Sequence, residues 1–407
     1  MESIFFHIDV NSAFLSWTAI DQYKEALEAG TLDQYTDIRT IPAIIGGDTS
    51  TRHGIVLAKS IPAKKYGIET AQPIVAALKK CPNLTIVSPR HSSYHAHSKA
   101  LMEHLMTFCP LIEQVSIDEC YMDFTPIARD YDSPVTAANL IRKSVFEKFG
   151  FTVNVGISDK KVLAKMASDF QKPDKTHTLF SWEIKEKMWP LPVSSLLMCG
   201  KSSQEVLKKL GITTIGQLAD SDPYFLQAHL KSHGKLLWEY ANGIDDTGIE
   251  LAPSQAKGIG NSTTMSQDAA TIEEMKPVIM SLCESVSNRL RQQKFLAGTI
   301  TVEIKYASFQ SNSHQKALDT PTNTTSDIFM TSMSLLNELW NHEPVRLLGV
   351  RATKLTQEDA PTQLTLFSYS AQKQKNEKAK KIDAALDEIR NKYGKQAVTR
   401  GTLFHKD

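Results

Sequence analysis

The chain has few cysteines for its length, and their spacing argues against two classes of site. Five cysteines occur among 407 residues, and no two of them form a CxxC pair. This scatter argues against a disulfide framework and against a structural zinc site. We expect all five to be small core residues. They are Cys81, Cys109, Cys120, Cys199 and Cys283.

Long apolar runs are also missing. No window approaches about 18 consecutive apolar residues, the length that a membrane-spanning helix needs. The start Met1-Glu2-Ser3 lacks the basic and apolar regions of a signal peptide. We therefore expect no membrane partner and a cytoplasmic location. The sequence also shows no internal repeat and no low-complexity segment.

Neither sign of charge is in excess. The chain has 46 Lys and Arg residues against 45 Asp and Glu residues, which leaves a net charge of +1. Composition alone therefore gives no sign of a nucleic-acid partner, which usually requires a basic surplus. The surplus is local, because the segment from Ala371 onward is rich in Lys and Arg. Elsewhere, any basic groove must come from the arrangement of the side chains.

The first half of the chain predicts strands and helices around one buried strand. Ser3–Ile8 is a near-continuous apolar run rich in aromatic and β-branched residues, which is typical of a strand buried on both faces, and it ends at Asp9. The pattern predicts an α+β layer whose carboxylates sit at strand ends of one sheet. The other predicted elements are a hairpin-like insertion over 41–59, a helix over 90–106, a strand hairpin over 112–124, a helix over 136–149 and a strand over 151–157.

From Pro192 the pattern changes to short helices. Ser202 and Glu205 are spaced as a capping box, and Gly211 is placed to end that helix. The polar stretch 245–257 predicts a linker. The predicted elements beyond it are a helix over 272–293, strands over 298–306 and 314–318, a helix over 326–340, a strand over 345–354, a second linker over 356–362 and a charged helix over 373–393.

Three carboxylates suggest a reaction. Asp9 ends the first strand, and Asp118 and Glu119 lie in the predicted hairpin, so a compact sheet could bring all three together. Clustered carboxylates repel one another unless cations lie between them, and two Mg²⁺ ions suit in-line nucleotidyl transfer. Neighbouring strand residues face opposite sides, so Asp118 and Glu119 require a twist or bulge to serve one site. Taken singly, each of the three could be an ordinary polar strand end.

Four short strings in order carry a family resemblance. They are His7-Ile8-Asp9, Ser116-Ile117-Asp118-Glu119, Val155-Gly156-Ile157-Ser158 and Ser168-Asp169-Phe170-Gln171-Lys172-Pro173. Together they resemble the Y-family translesion DNA polymerases of the DinB/UmuC superfamily, over residues 3 to about 400. The resemblance implies an α+β, multidomain right-hand polymerase with a ferredoxin-like palm, small fingers, a helical thumb with a helix-hairpin-helix, and an α+β little finger. The implied domains are the palm (1–12 and 80–186), fingers (13–79), thumb (187–245), linker (246–257), little finger (258–355) and a clamp-binding peptide with a C-terminal tail (356–407).

The resemblance assigns roles to the carboxylates. Asp9 and Asp118 would ligate two Mg²⁺ ions, with Mn²⁺ as a possible substitute. Glu119 would complete the site nearest the primer 3′-hydroxyl, and the main-chain carbonyl of Val10 would help to hold the nucleotide-side metal. Phe14 falls where the family places an aromatic steric gate, whose ring excludes the 2′-hydroxyl that distinguishes RNA from DNA.

The resemblance also implies a triphosphate site, with two departures. Lys172 falls where the family has a lysine on the incoming triphosphate, and a cation there would offset developing charge. The family arginine that grips the triphosphate is Lys64 here, which gives up bidentate geometry. The family tyrosine is Ile61, with Ser60 alongside as a candidate phosphate contact. These departures resemble the UmuC/UvrX-like side of the superfamily more than DinB.

Two regions resemble the DNA-contacting parts of the family. Leu197–Lys201 resembles the hairpin of a helix-hairpin-helix, in which Gly200 and Lys201 would contact a phosphate through backbone N–H groups. The usual first glycine of that hairpin is Met198 here, and an ordinary helix turn remains the alternative. The segment 257–264 resembles the opening of the little finger. The candidate DNA contacts in that domain are Arg289, Arg291, Lys305, Arg346 and Arg351.

The pentapeptide Gln363-Leu364-Thr365-Leu366-Phe367 follows the second linker. It resembles the peptide with which bacterial polymerases bind the sliding clamp, with Gln363, Leu364, Leu366 and Phe367 as its contacts. The alternative is a last strand docked on its own protein. The partners implied are primer–template DNA, a dNTP and the bacterial sliding clamp, with the chain acting as a monomer.

Three further features are weaker. His91, His95 and His97 could ligate a metal, but a solvated helix face is the preferred interpretation. Gly46-Gly47-Asp48 is similar to the GGD of nucleotide cyclases, and a turn is preferred. Asp123 could be a fourth acid, but a structural hydrogen bond is preferred.

The sequence therefore predicts a DNA-directed DNA polymerase for translesion synthesis in DNA damage tolerance. The alternatives are a DNA-binding clamp adaptor with weak or absent catalysis and, with less support, a nucleotidyl cyclase. Asp9, Asp118 and Glu119 argue against the adaptor, whereas Ile61 and Lys64 keep it open.

Overall fold

The computed structural model describes residues 3–47, 54–251, 255–360, 371–394 and 397–401. The described residues form two compact units, and the main boundary between them falls between Pro253 and Ser254, within the segment expected to be a linker. Across the described ranges, no helix combines the length and apolar character that crossing a membrane requires.

The first unit contains three-layered α+β structure and a set of short helices. Its described strands are β1 (Phe5–Val10), β2 (Ala43–Gly46), β3 (Val56–Lys59), β4 (Thr85–Val87), β5 (Ile112–Gln114), β6 (Glu119–Asp123), β7 (Val153–Ser158) and β8 (Thr176–Thr178). Its described α-helices are α1 (Ala13–Glu28), α2 (Ile61–Lys65), α3 (Ile74–Lys80), α4 (His91–Leu105), α5 (Pro134–Phe149), α6 (Lys161–Ser168), α7 (Ile184–Lys187), α8 (Lys201–Lys209), α9 (Ile215–Ala219), α10 (Pro223–Leu230) and α11 (Ser232–Ala241).

The strand β1 lies at the centre of a five-stranded sheet with the order β5-β6-β1-β7-β8. All six of its residues are buried. Phe6 and Ile8 point into the core that α4 and α5 complete, whereas His7 faces α6 on the other side and contacts Ser168. Both faces are covered, which explains why the strand is almost uninterrupted in apolar character. Asp9 shares the face of His7, because side chains alternate along a strand.

Helix α6 lies unusually close to the sheet because β7 carries a glycine. A methyl group on Gly156 would overlap the carbonyl oxygen of Ala164 and the amide nitrogen of Ser168. The glycine therefore sets the distance at which α6 packs on the sheet. The same helix presents Lys165 and Ser168 to the residues of β1.

A second, three-stranded sheet has the order β3-β2-β4. It packs against α1, because Leu15 and Ala19 share a core with Ala43 and Ile45. The turn after β3 is fixed by Ser60, whose side chain caps α2. The predicted insertion over 41–59 is therefore a pair of antiparallel strands, and Asp48 of the predicted turn lies outside the described residues.

The short helices α7 to α11 follow, as the sequence predicts, but the capping box is wrong. Helix α8 begins at Lys201 with Gly200 as its N-cap, and no side chain caps it. Ser202 lies inside the helix, because the chain already turns at Met198, which has a left-handed backbone with φ 67°. Gly211 does end the helix, with φ 78°.

The second unit is one antiparallel sheet with helices on one face. Its strands are β9 (Gly258–Ala269), β10 (Phe295–Tyr306), β11 (Ser311–Thr322) and β12 (Val345–Gln357), and its helices are α12 (Ile272–Gln292), α13 (Thr325–Leu339) and α14 (Ala371–Tyr393). The strand order is β11-β10-β12-β9. Along β10, Ile300, Val302 and Ile304 are buried in the core that α12 and α13 complete. Strand β9 was not predicted, because its sequence is rich in Gly, Ser and Thr and has few of the apolar residues that mark a strand.

All five cysteines are free and buried, as predicted. The described structure therefore contains no disulfide, and each cysteine contributes a small apolar side chain to a core.

Gly156→Ala tests the close packing of α6 on the sheet. The added methyl group overlaps backbone atoms that cannot rotate away, so we expect a loss of about 2 kcal/mol or more in the free energy of unfolding, in the range of overpacked cores. Thermal unfolding of the purified variant measures it. Gly248→Ala is the matched control, because nothing lies within 4 Å of the added carbon there. Equal stability of the two variants would contradict the packing described.

Candidate active site

The pairing of β1 with β6 brings the three predicted carboxylates together. Asp9 is the register partner of Glu119 in this antiparallel pair. The amide of Val10 donates to the carbonyl of Asp118 at 3.0 Å, so Asp118 lies beside the end of β1. Asp118 belongs to the bend that precedes β6 and not to the pleated strand. This bend is the irregularity that the sequence required for Asp118 and Glu119 to serve one site.

Two lysines place positive charge among these carboxylates. The ammonium of Lys165 lies 2.7 Å from Glu119 Oε2 and 3.9 Å from Asp9 Oδ2. Lys172 forms an ion pair with Asp9 and lies 2.7 Å from Asp169 Oδ1. Lys165 was not singled out from the sequence. The only sequence feature that points to Lys165 is its position on the predicted helix that leads into the Ser168–Pro173 string.

The carboxylates differ in their tendency to ionise. Burial raises the pKa of Asp118 above its usual value, and the nearby charges of Asp9 and Glu119 raise it further, against a hydrogen bond from Ser116. In contrast, the hydrogen bond with His7 and the ammonium of Lys165 lower the pKa of Glu119 to about 2, although burial opposes them. Asp118 is therefore the acid whose negative charge the fold compensates least.

The donor set suits a hard cation. Among the described residues, no three His, Cys, Asp or Glu side chains converge tightly enough to enclose an ion as they stand. The three carboxylates and the backbone carbonyl of Val10 are nevertheless oxygen donors of the kind that Mg²⁺ prefers, completed by water and substrate oxygens. The position of Lys165 and Lys172 shows that positive charge is already required there. Asp9, Val10, Asp118 and Glu119 therefore fit a divalent cation site.

Phe14 lines a cavity of about 240 Å³ together with Val10 and Asp118. Its ring stacks on Tyr94, with centroids 4.4 Å apart and planes 11° apart. Tyr94 is fully buried, so the packing around its ring fixes the platform under Phe14. Its hydroxyl also lies 2.8 Å from Thr18 Oγ1. Phe14 was identified from its position in the sequence, whereas no sequence feature singled out Tyr94.

A second cavity, of about 270 Å³, adjoins the triphosphate candidates. Its lining includes Lys64, Lys172 and Ser60. Ser60 is only 1% exposed, and its hydroxyl already bonds the carbonyl of Ile41 and the amides of Ala43 and Ala63. We therefore correct the prediction for Ser60, because its hydrogen-bonding capacity is used in holding the turn after β3.

The hairpin candidates lie at the start of α8. Gly200 is the N-cap, and Lys201 is the first helical residue. Met198 keeps the left-handed backbone that a glycine would favour, with its side chain 58% exposed. The turn therefore forms without the usual glycine. The element before it is a single turn of 3-10 helix (Val193–Ser195), not an α-helix.

The candidate DNA contacts of the second unit do not share one environment. Arg289 is exposed and donates to the carbonyl of Gly260 at 2.9 Å. Arg351 is exposed beside a cleft of about 580 Å³ on the sheet. Lys305 and Arg346 lie over the ring of Phe309, 5.2 and 4.9 Å from its centroid.

The structure corrects the prediction that Arg291 contacts DNA. Its guanidinium lies 2.6 Å from Asp387, 3.3 Å from Asp383 and 2.9 Å from the carbonyl of Asn323. These contacts fasten α14 to α12 and leave little of the side chain exposed. The sequence could not show this, because the two acids lie about a hundred residues further along the chain.

The weaker features divide. His91 and His95 are exposed, as preferred for a solvated helix face, whereas His97 is largely buried and contacts Asp21 at 2.8 Å. Gly46 of the preferred turn is the last residue of β2, and Asp48 lies outside the described residues. Asp123 accepts a hydrogen bond from the amide of Thr125. The pentapeptide 363–367 lies outside the described residues.

Asp118→Asn tests the electrostatics of the carboxylate cluster. Since the pKa of Asp118 is raised in the folded protein, its ionised form destabilises the fold, and this cost appears as the pH rises above the ordinary range of an Asp. We expect the metal-free variant to melt about 2 °C higher than the wild type at pH 7. The gain should shrink towards pH 4.5, where Asp118 is increasingly protonated.

Addition of Mg²⁺ supplies a second comparison. It should raise the melting temperature of the wild type and have a smaller effect on Asp118→Asn. A variant that melts lower than the wild type at pH 7, or a difference that does not change with pH, would contradict this assignment of charge.

Known proteins resemble this chain over its full length. The impB/mucB/samB family matches residues 8–169, and its C-terminal domain matches residues 256–366. DNA polymerase IV of Clostridium acetobutylicum is 44% identical over 407 residues, which is 100% of both chains. DNA polymerase IV of Acetivibrio thermocellus is 34% identical over 99% of this chain and 98% of its own, and DNA polymerase IV 1 of Bacillus subtilis is 33% identical over 99% and 94%.

A solved structure has the same fold. A Y-family DNA polymerase chimera of Dbh and Dpo4 matches 87% of this chain and 99% of its own with a TM-score of 0.74 and 21% identity. The similarity to DNA polymerase IV extends over the whole chain and outweighs the departures at Ile61 and Lys64. The comparisons therefore support a DinB-like polymerase and correct the expectation of a UmuC/UvrX-like member of the superfamily. The chain belongs to the impB/mucB/samB family, within the Y family of DNA polymerases.

Proposed function

We propose that this chain is a DNA-directed DNA polymerase that adds dNTPs to a primer 3′-hydroxyl during translesion synthesis. The pairing of β1 with β6 supports this proposal most directly. The register of β1 and β6 sets Asp9 against Glu119, with Asp118 at the adjoining bend, beside the cavity that Phe14 lines. Clustered carboxylates that can hold two metal ions beside a cavity are the arrangement that nucleotidyl transfer requires.

Two Mg²⁺ ions, or Mn²⁺ in their place, are the cofactors that we assign to this cluster. Asp9 and Asp118 would hold both ions, Glu119 would serve the primer side, and the carbonyl of Val10 would serve the nucleotide side. When bound, the two ions stabilise the attacking and leaving oxygens of an in-line displacement. The hydrogen bond with His7 and the ammonium of Lys165 lower the pKa of Glu119 to about 2, so this carboxylate is ionised throughout the neutral pH range.

The chain itself binds and selects the nucleotide. Lys172 and Lys64 line one cavity and offset the negative charge of a triphosphate. Phe14 lies in the other cavity, and the ring of Tyr94 prevents it from swinging away. A ring fixed under the sugar leaves room for a deoxyribose but not for a 2′-hydroxyl.

DNA contacts are assigned to both units. The positive end of α8, at Gly200 and Lys201, suits a backbone phosphate, and the amide of Gly200 itself donates to the carbonyl of Met198 at 3.0 Å. In the second unit, the exposed Arg289 and Arg351 suit phosphates of the duplex, together with Lys305 and Arg346. The domain boundaries given above assign these regions to the thumb and the little finger.

The remaining partner is the sliding clamp. The pentapeptide 363–367 has the Gln and the Leu-Phe pair of a clamp-binding peptide, and the polymerase would act as a monomer tethered through it. Support for this assignment comes from the sequence pattern alone.

Primer extension with Phe14→Ala tests the proposal. We expect the wild-type protein to extend a primer with dNTPs in Mg²⁺ and to reject rNTPs. Removal of the ring should lower the preference for dNTPs over rNTPs by about 10²-fold, because the hydroxyl then meets no steric barrier. The ratio of kcat/KM for dTTP and for UTP opposite a template adenine measures it.

Tyr94→Phe is the matched control for that experiment. It removes the hydroxyl that contacts Thr18 but keeps the stacked platform, so its sugar selectivity should remain that of the wild type. If the wild-type protein extends no primer even with the clamp present, the polymerase proposal fails and the adaptor is favoured. If Phe14→Ala extends primers with unaltered sugar selectivity, only the assignment of Phe14 as the steric gate fails.

A further inference from the structure

A third lysine lies where the two cavities of the active site meet. Lys59 is the last residue of β3, and it lines both the cavity that contains Phe14 and Asp118 and the cavity that contains Lys64 and Lys172. Ser12 is the other residue that the two linings share. Because a nucleotide carries its phosphate chain between the sugar and the pyrophosphate, a side chain at this junction would face the phosphates.

The backbone of Lys59 is held firmly. It is the register partner of Ile44 in the antiparallel pair of β3 and β2. The next residue, Ser60, donates its amide to the carbonyl of Ala43 at 2.9 Å and caps α2 with its hydroxyl. The position of the lysine is therefore determined by regular strand pairing on one side and by a helix cap on the other.

Among the described residues, the ammonium of Lys59 forms no hydrogen bond and no ion pair, although the side chain is half-buried. Burial lowers its pKa, and the positive charge of Lys64 lowers it further, against the negative charge of Glu69. A half-buried cation next to another cation is unfavourable unless an anion arrives between them.

The other cations at the cavity are compensated within the protein. Arg39 donates to both oxygens of Asp37 and to the carbonyl of Gly150. Lys172 is paired with Asp9 and Asp169. None of the described residues that line this cavity is acidic. Lys59 and Lys64 are therefore the two lining cations that form no ion pair within the described part of the chain.

We propose that Lys59 is a direct phosphate ligand of the incoming nucleoside triphosphate. This inference rests on the proposed polymerase function and deepens it. Lys59 supplies at the junction of the cavities a contact that Ile61 cannot make, because Ile61 has no polar atom and is 52% exposed at the rim. Together with Lys64 it forms a pair of cations that closes around the phosphates, whose negative charge removes the repulsion between them.

Steady-state insertion of a single dNTP by Lys59→Ala tests the inference. We expect KM for the dNTP to rise about tenfold, as for the loss of one charge-assisted hydrogen bond, with kcat changed less than about threefold. Inhibition by inorganic tripolyphosphate should weaken by a similar factor, because that probe has the phosphates without sugar or base. Lys59→Arg should retain most of the wild-type affinity.

Lys65→Ala is the matched control, since Lys65 is an exposed lysine of the same segment that lines neither cavity. It should leave KM and tripolyphosphate inhibition unchanged. If the wild-type protein extends primers but Lys59→Ala keeps the wild-type KM and inhibition, the role of Lys59 is wrong while the polymerase stands. An equal rise in KM for Lys65→Ala would also overturn it, because the effect would then be one of net charge. Failure of the wild-type protein to extend primers would instead overturn the proposed function.

Discussion

The antiparallel pairing of β1 with β6 is the constraint on which the active site depends. It sets Asp9 against Glu119 and leaves Asp118 at the bend beside them. A shift of register by one residue would turn Asp9 to the opposite face of the sheet, into the core around Phe6. The apolar residues of β1 prevent that shift, since they must remain in the core. Hydrophobic packing thus fixes the position of groups that would otherwise repel one another.

The positive charges of four lysines are arranged in two layers around the pairing of β1 with β6. Lys165 and Lys172 form ion pairs with Glu119 and Asp9, respectively. Their positive charge offsets the repulsion between the clustered carboxylates. Lys59 and Lys64 lie further out and line a cavity in which none of the described lining residues is acidic, and Lys59 also lines the cavity that contains Asp118. The inner lysines stabilise the protein before substrate arrives, whereas the outer lysines form no ion pair among the described residues and are placed to pair with a bound anion, as we propose. The near-zero net charge of the chain conceals this separation, because composition does not record position.

Much of the first unit could be predicted from its sequence, because strong local patterns determine it. The apolar run before Asp9 predicted β1, and the hairpin carrying Glu119 was confirmed as β5 and β6. Elements with weak local patterns were missed, among them β9, whose residues are mostly small and polar. The motif positions of Asp9, Asp118, Glu119 and Phe14 were also readable from the sequence. Their roles remain proposals that the geometry supports.

What the sequence could not show is side-chain partnership between distant residues. Ser60 looked free to bind phosphate, but it caps a helix and bonds the preceding strand. Arg291 looked like a DNA contact, but it pairs with Asp383 and Asp387 of α14. Lys165 and Tyr94 were not identified from the sequence, because the active-site residues that they contact, Glu119 and Phe14, lie far away in the chain. Apart from the local cap that Ser60 forms with Ala63, these contacts span 17 or more residues and leave no periodic signal.

The central claim is that Asp9, Asp118 and Glu119 form one divalent-cation site. Its most direct test is the number of Mn²⁺ ions bound per chain, measured by electron paramagnetic resonance titration with primer–template DNA and a non-hydrolysable dNTP analogue present. We predict two ions for the wild-type protein and a clear loss of bound Mn²⁺ for Asp9→Asn, with the thermal unfolding of both proteins showing that each is folded. Equal Mn²⁺ binding by the two folded proteins would contradict the claim.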